Sequence, residues 1–293
     1  MTIRPTAKSS GAKGELTCAR PRTTALEVPH WMPERDSKQR FTERVDAYQR
    51  ARPDYPDSVA RLVLQGLGLP MNASVADIGC GTGLSSVPFL RAGCRVVGVE
   101  PNDAMRAAAA RWLAAESRFS AHFSVVAGSA EATTLKRASA DIVCAGQAFH
   151  WFDPASFGRE ARRLLRPEGG IALFWNSRQH TASAFMTEFN ALLLEHCAEY
   201  RAKWKGDDVG AKHAPAMRIV FGQPWQQASL AHLQTLDCTG LLARVESDSY
   251  APEPSDPAHA PLQDALQKLH ARHADQGKVT IVYQTRIFFG RPA

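Results

Sequence analysis

A glycine-rich turn after an apolar run constrains this chain more than any other feature. Val75–Ile78 is short and mostly apolar, and glycines stand at positions 79, 81 and 83 directly after it. Because glycine has no Cβ, such a turn can be tight and can bring its backbone close to a ligand. A helix that starts after the turn offers free N–H donors. The pattern therefore predicts a strand, a ligand-binding turn and a helix in succession.

The spacing of these glycines separates two classes of nucleotide ligand. A dinucleotide fingerprint, GxGxxG, would need glycine at position 84, where this chain has Leu84. GxGxG preceded by Asp77 fits a nucleoside that lacks a pyrophosphate. A second apolar run, Cys94–Val99, ends at Glu100, and an acid there can accept hydrogen bonds from both ribose hydroxyls. We therefore expect a nucleoside site where these two strands end.

Apolar runs alternate with amphipathic helical patterns from Val75 to Trp175. Asp103 is expected to cap the helix after the second run, and Asp153 followed by Pro154 is typical of a helix start. This alternation predicts a parallel sheet covered by helices on both faces, with ligands at its carboxyl edge. The five predicted strands are Val75–Ile78, Cys94–Val99, Phe123–Ala127, Asp141–Ala148 and Ile171–Trp175.

The alternation stops after Asn176. Residues 201–224 are polar, basic and interrupted by Gly and Pro, and they fall within a cap insertion that we expect at about 180–224. Gln226–Leu236 and Val279–Phe289 predict two more strands, paired in a hairpin.

Charge and composition limit the classes of partner. Lys and Arg outnumber Asp and Glu by 35 to 29, but eight of the basic residues fall within residues 1–40. Residues 1–36 lack hydrophobic periodicity, so we expect a mobile leader before a single domain, 37–293. Charge concentrated in a leader disfavours a nucleic-acid interface. No apolar run approaches the about 20 residues that a membrane-spanning helix needs.

The six cysteines form no CxxC pair, so we expect no metal site and a reducing, cytoplasmic location.

Several segments resemble motifs of the class I S-adenosylmethionine-dependent methyltransferases. Gln147–Asp153 is similar to the methyltransferase type 11 and trans-aconitate-type branch, which acts on small molecules. The resemblance covers about residues 41–178. The other matching segments are Val75–Gly83 and Val97–Asn102, which resemble the first and second motifs, Gly128–Glu131, which resembles the adenine loop, and Leu165–Gly170, which resembles the turn before strand five.

The resemblance implies an α/β, Rossmann-like fold: a mostly parallel seven-stranded sheet with the last strand antiparallel, helices on both faces and a helical cap after strand five. It implies S-adenosyl-L-methionine as cofactor and S-adenosyl-L-homocysteine as product. Glu100 would hold the ribose, Asp77 would orient the loop or reach the methionine amine through water, and Arg52 would pair with the cofactor carboxylate. The implied cofactor residues are Tyr48, Arg52, Asp77, Gly79, Cys80, Gly81, Glu100, Pro101, Met105, Ser129, Ala130, Glu131 and Gln147.

Two roles are open for His150, which the resemblance puts near the methyl group. An imidazole titrates near neutrality and can act as a base, or it can position its neighbours. A carboxylate acceptor needs no base, whereas a phenol or an acidic carbon does. Trp151, Trp204 and Tyr250 are expected on the acceptor side, and the cations of residues 201–218 suit a small anionic or aromatic acceptor.

We expect methyl transfer to an oxygen, nitrogen or carbon atom of a small molecule, and three alternatives are weighed against it. Nucleic-acid base methyltransferases often carry an Asn/Asp-Pro-Pro-aromatic loop after strand four, where this chain has Gln147–His150. A regulatory protein that keeps the fold without turnover is disfavoured by the intact glycine loop and Glu100. A nicotinamide dehydrogenase is disfavoured by Leu84.

Overall fold

A seven-stranded sheet organises the chain. The computed structural model describes residues 51–203 and 209–293, so the predicted leader, Tyr48 and Trp204 lie outside the described residues. Along the sheet the strands run in the order β3-β2-β1-β4-β5-β7-β6. The strands are β1 Ser74–Ile78, β2 Arg95–Val99, β3 Phe123–Val126, β4 Ala140–Gly146, β5 Leu165–Arg178, β6 Gln226–Leu236 and β7 Val279–Gly290.

Strands β1 to β5 are parallel to one another, and β7 lies antiparallel between β5 and β6. This arrangement confirms the fold class predicted from the sequence. Helices pack on both faces of the sheet, as crossover connections between parallel strands require. They are α1 Ser58–Leu67, α2 Val87–Arg91, α3 Asp103–Ala115, α4 Pro154–Leu164, α5 Ala184–His196, α6 Ala198–Lys203, α7 Val209–Phe221, α8 Cys238–Glu246 and α9 His259–His273.

Alternating side chains of β5 enter two different apolar cores. Ala172 and Phe174 lie in the core that contains Val63 of α1. Leu173 and Trp175 lie in the core on the other face, with Phe157 of α4. Because both faces of a central parallel strand are buried, the strand reads as a continuous apolar run, which is why its position was predictable.

Side-chain caps fix where two of the helices begin. Asp153 accepts a hydrogen bond from the Ser156 N–H, as predicted, with Pro154 as the first helical residue. The predicted cap of α3 was one residue late. Asn102 accepts the Met105 N–H over 3.0 Å, and Asp103 is already helical. Either residue type can cap a helix, so the sequence alone did not distinguish them.

No individual element was predicted for residues 201–224 within the expected helical cap. Residues 209–221 form helix α7, which packs against α4 and buries Met217, Val220 and Phe221. Its apolar side chains share one face at helical spacing, although Lys, Gly and Pro between them obscure the pattern. Within the described residues this part of the cap therefore belongs to the core beneath the sheet.

Strands β6 and β7 pair along their full length, from Gln226 with Phe289 to Leu236 with Val279. They are not a hairpin, because helices α8 and α9 lie between them in the chain. These helices, with α5 and β7, enclose a third apolar core around Phe189 and Leu266. No helix in the described ranges has the length and apolar character needed to cross a membrane.

The burial of α7 can be tested with two neighbouring substitutions. Met217→Ala removes a fully buried side chain and should lower the free energy of unfolding by about 2–5 kcal/mol. Ile219→Ala alters a side chain that is 46% exposed on the same helix and should change it by less than about 0.5 kcal/mol. Urea unfolding measures both values. Similar small effects for the two variants would contradict the packing described for α7.

Candidate functional site

A cavity opens at the carboxyl edge of the sheet, where β1, β2 and β4 end. Its empty volume, including the open mouth, is about 1250 Å³. The glycine loop forms one wall, and residues 52–55 contribute to another. The lining residues are Arg52, Pro53, Tyr55, Gly79, Cys80, Gly81, Thr82, Leu84, Ser85, Glu100, Pro101, Asn102, Met105, Ser129, Ala130, Glu131, Gly146, Gln147, Ala148, Trp151, Phe152 and Asn176.

The glycine loop is fixed to the neighbouring strand by its backbone. The Gly79 N–H donates to the Val99 carbonyl over 2.8 Å, at the end of β2. Gly81 has a φ of 56°, a conformation that favours glycine. A Cβ on Gly81 would meet no atom within 4 Å, because the residue lines the cavity. The loop thus presents bare backbone to the space that a ligand could occupy.

The Glu100 carboxylate binds the loop from the next strand. One oxygen accepts the Gly81 N–H and the other accepts the Asn102 N–H, each over 2.9 Å. Burial raises the pKa of Glu100, and the two N–H donors and Arg106 offset part of that increase. A carboxylate oxygen has two lone-pair sites, so each still has one available to a ligand hydroxyl.

Asp77 lies beneath the loop and does not line the cavity. It is fully buried and accepts hydrogen bonds from the hydroxyls of Ser85, over 2.6 Å, and Ser86, over 2.7 Å. Burial raises the pKa of Asp77 to about 6, although these bonds and a contact from Cys144 act in the opposite direction. Asp77 therefore joins the end of β1 to the segment after the glycines, so the geometry fits loop orientation better than direct ligand contact.

The residues expected beside adenine line the same cavity. Pro101 and Met105 follow β2, and the loop after β3 brings Ser129, Ala130 and Glu131 to the same cavity. An Oε atom of Glu131 also accepts a long hydrogen bond, 3.3 Å, from the Asp153 N–H. The arrangement offers an apolar surface with a polar edge, which suits a flat heterocycle.

Gln147 and Trp151 also line the cavity. Gln147 has a φ of 56°, an uncommon conformation for a residue with a side chain, and its N–H donates to the Phe174 carbonyl. His150 is not among the described residues that line the cavity. Its ring lies 5.0 Å from Trp151 and 6.3 Å from His213, centroid to centroid. The structure therefore places His150 next to the cavity wall.

His213 belongs to the core rather than to the cavity. It is stacked on Trp175 with centroids 5.0 Å apart, and burial lowers its pKa to about 4. This histidine lies in the segment whose cations were expected to face the acceptor. Because His213 is buried in the core, it does not face an acceptor in the cavity.

Asn176 is a cavity residue that the sequence analysis did not select. Its Nδ2 donates to the Asp54 carbonyl over 2.8 Å, and its Oδ1 accepts the Thr285 hydroxyl over 2.6 Å. Tyr55, which also lines the cavity, packs edge-on against Phe174 with centroids 4.9 Å apart. A polar residue at the end of an apolar strand was the available signal for Asn176.

Arg52 and Tyr250 are joined through Asp248. Arg52 lines the cavity, with Nη1 3.0 Å from Asp248 Oδ1 and Nη2 donating to the Ser247 carbonyl over 2.6 Å. The Tyr250 hydroxyl donates to the other oxygen of Asp248. Tyr250, expected on the acceptor side, is not among the residues that line the cavity.

The cavity lies largely within a segment shared with known proteins. Residues 76–173 match the profile of the methyltransferase domain family Methyltransf_11. An uncharacterized methyltransferase of Mycobacterium tuberculosis H37Rv is 35% identical over 148 residues, which are 49% of this chain and 55% of that protein. The chain spans about half the length of the first curated relatives it matches.

Two further comparisons extend beyond this segment. An uncharacterized methyltransferase-like protein of Schizosaccharomyces pombe is 27% identical over 253 residues, or 85% of this chain and 93% of that protein. The structure of a candidate type II methyltransferase of Anaeromyxobacter dehalogenans superposes with a TM-score of 0.56 at 21% identity. The superposition covers 83% of this chain and 99% of the Anaeromyxobacter dehalogenans chain. The superposition shows that the chain shares the fold of that structure, and residues 76–173 match a methyltransferase domain.

The raised pKa of Asp77 predicts a pH dependence of stability. The pKa of Asp77 in the folded protein, about 6, exceeds its ordinary value of 3.8. Protonated Asp77 therefore stabilises the fold fully below pH 3.8, and this stabilisation is lost as the pH rises through about 6. The free energy of unfolding of the wild type, minus that of Asp77→Asn, should therefore fall by about 2 kcal/mol between about pH 4 and pH 7. Urea unfolding across this range measures the difference. A difference that does not change with pH would contradict the assignment.

Proposed function

We propose that this chain is an S-adenosyl-L-methionine-dependent methyltransferase that acts on a small molecule. The observation that carries the proposal is the wall shared by Gly81 and Glu100. There, bare backbone and a buried carboxylate face one cavity within the methyltransferase domain. A nucleoside needs close backbone approach and an acceptor for its ribose hydroxyls, and this wall offers both.

The cofactor fits the residues present. The open space above Gly81 would take the ligand, and the remaining lone pairs of Glu100 would accept the ribose hydroxyls. Pro101, Met105 and the loop of Ser129, Ala130 and Glu131 would contact the adenine. Gly79, Cys80 and Gln147 line the cavity and would contact the methionine part, while Arg52 would pair with its carboxylate. Once bound, the cofactor supplies a methyl group already activated on a sulfonium.

The work of the protein is then alignment and exclusion of water. Tyr55, Gln147 and Asn176 line the part of the cavity at the ends of β4 and β5, where we place the acceptor. The amide of Asn176 is held by Asp54 and Thr285, so its remaining donor and acceptor positions have fixed directions. Such groups would orient a polar acceptor.

For His150 we favour positioning over proton abstraction. Its neighbours Trp151 and Phe152 line the cavity, and the His150 ring lies 5.0 Å from that of Trp151. An acceptor that reacts as an anion would need no base. Trp151 is accordingly our candidate for contact with the acceptor.

A small acceptor is favoured over a nucleic-acid base by the residues after β4. Gln147–His150 contain no Asn/Asp-Pro-Pro-aromatic loop.

We also propose a cytoplasmic location. The cysteines within the described residues form no disulfide, which supports it. They are Cys80, Cys94, Cys144, Cys197 and Cys238.

A methyl-transfer screen tests the proposed function. The enzyme is incubated with cofactor radiolabelled on its methyl group and with separate small-metabolite, nucleic-acid and protein fractions of a cell extract. We expect label in the small-metabolite fraction. Label in nucleic acid would overturn the acceptor class, and a chain that transfers no methyl group to any fraction would support a regulatory protein instead.

Gly81→Ala should weaken S-adenosylhomocysteine binding at least about tenfold, because the new methyl group enters the cavity. Gly68→Ala is the matched control. Gly68 also has a positive φ, 68°, and no atom within 4 Å of a built Cβ, but it ends α1 outside the cavity. Both variants carry similar backbone strain, so equal affinities in calorimetry would show that the glycine loop is not the site.

Glu100→Ala should weaken S-adenosylhomocysteine binding by about 1.5–3 kcal/mol, the usual range for hydrogen bonds to a charged group. Since Glu100 also holds Gly81 and Asn102, the 2′-deoxy analogue of the ligand separates ribose contact from loop support. The wild type should bind that analogue more weakly, while Glu100→Ala should bind the two ligands alike. If the variant discriminates as strongly as the wild type, another residue holds the ribose.

A further inference from the structure

Three arginines surround one carboxylate beside the cavity. Asp248 follows α8, and its Oδ1 lies 3.0 Å from Arg52 Nη1 and 2.9 Å from Arg244 Nη1. Its Oδ2 accepts the Tyr250 hydroxyl and lies 3.7 Å from Arg178 Nη1. A single acid therefore links four side chains, of which Arg52 and Arg178 come from distant parts of the sequence.

This cluster is buried and its charges are fixed. The side chain of Asp248 is 6% exposed and that of Arg244 is 5% exposed. Burial alone would raise the pKa of Asp248, but Arg244, Arg52 and Arg178 hold it well below its usual value. Asp248 is thus ionised near neutral pH. Removing one member of a buried ion pair leaves the other without compensation, so the members hold one another in place.

Two of the three arginines, Arg178 and Arg244, contact Asp248 and do not line the cavity. The Arg178 guanidinium lies over the rings of Tyr200 and Tyr250, at 5.5 and 5.7 Å from their centroids. Arg244 Nε donates to the Tyr283 hydroxyl of β7 over 3.1 Å. The carboxylate therefore has little freedom to move.

The third arginine, Arg52, lines the cavity and belongs to a segment that has little structure of its own. Residues 52–56 form neither helix nor strand. Two of its terminal nitrogens bind Asp248 and the Ser247 carbonyl. The loop after α8 thus sets where this guanidinium lies at the cavity wall.

We propose that Asp248 is a positioning residue that holds the Arg52 guanidinium at the cavity wall, ready for an anionic group of the ligand. The inference rests on the proposed function, in which Arg52 pairs with the cofactor carboxylate. Asp248 touches no ligand. Its effect on binding passes through Arg52, and this distinguishes it from a residue that only stabilises the fold.

A double-mutant cycle with two ligands tests the inference. S-adenosylhomocysteine carries the carboxylate, whereas 5′-methylthioadenosine contains the same nucleoside without it. Arg52→Gln and Asp248→Asn should each weaken S-adenosylhomocysteine binding about tenfold and leave 5′-methylthioadenosine binding unchanged in calorimetry. The double variant should bind no more weakly than Arg52→Gln alone, because residues that act through one contact are not additive.

Asp264→Asn is the control for loss of an acid. It removes an exposed partner of Lys268 on α9 and should bind both ligands like the wild type. If Asp248→Asn does not fold, Asp248→Glu replaces it in the cycle, since it keeps the charge and displaces Arg52. Thermal unfolding verifies that each variant is folded.

The outcomes separate the two proposals. A wild-type chain that binds neither ligand overturns the proposed function. Weakened binding in Arg52→Gln with normal binding in the Asp248 variant overturns the positioning role alone. Equal losses for both ligands, or losses that add in the double variant, also overturn it, because they indicate a general loss of structure.

Discussion

The candidate site depends on one carboxylate that binds two backbone N–H groups. Glu100 accepts Gly81 N–H and Asn102 N–H over 2.9 Å each, and so joins the loop after β1 to the end of β2. These strands are paired in register from Ser74 with Arg95 to Ile78 with Val99. Hydrogen bonds to an ionised acceptor are stronger than neutral ones, which offsets part of the penalty of burying the charge. The cavity wall is therefore set before a ligand arrives.

The antiparallel half of the sheet completes the cavity through polar contacts. Asn176 holds the Asp54 carbonyl, and Gln234 of β6 donates to the Ala51 carbonyl over 2.9 Å. Asp248 adds the contact to Arg52. Segment 51–57 is thus positioned by side chains from β5, β6 and the loop after α8. The parallel half supplies the surface at which we place the nucleoside, and the antiparallel half determines the shape of the remaining space.

The elements that were predicted correctly are those that leave a local pattern in the sequence. Buried parallel strands are continuous apolar runs, and a glycine turn followed by an acid after the next strand marks where two such strands end. The helix α7 was missed because Gly210, Pro215 and Lys212 interrupt an apolar face that becomes evident only when it packs on α4. The cluster around Asp248 was missed because Arg52 and Asp248 are far apart in sequence. No spacing rule connects residues that only tertiary structure brings together.

A crystal structure of the chain with S-adenosylhomocysteine tests the central claim most directly. The account predicts that the ribose hydroxyls lie within about 3.2 Å of the Glu100 carboxylate, with the adenine against Pro101 and Met105. The ligand backbone should pass over Gly81. Density for the nucleoside outside this cavity, or a Glu100 carboxylate that contacts no ligand atom, would contradict it.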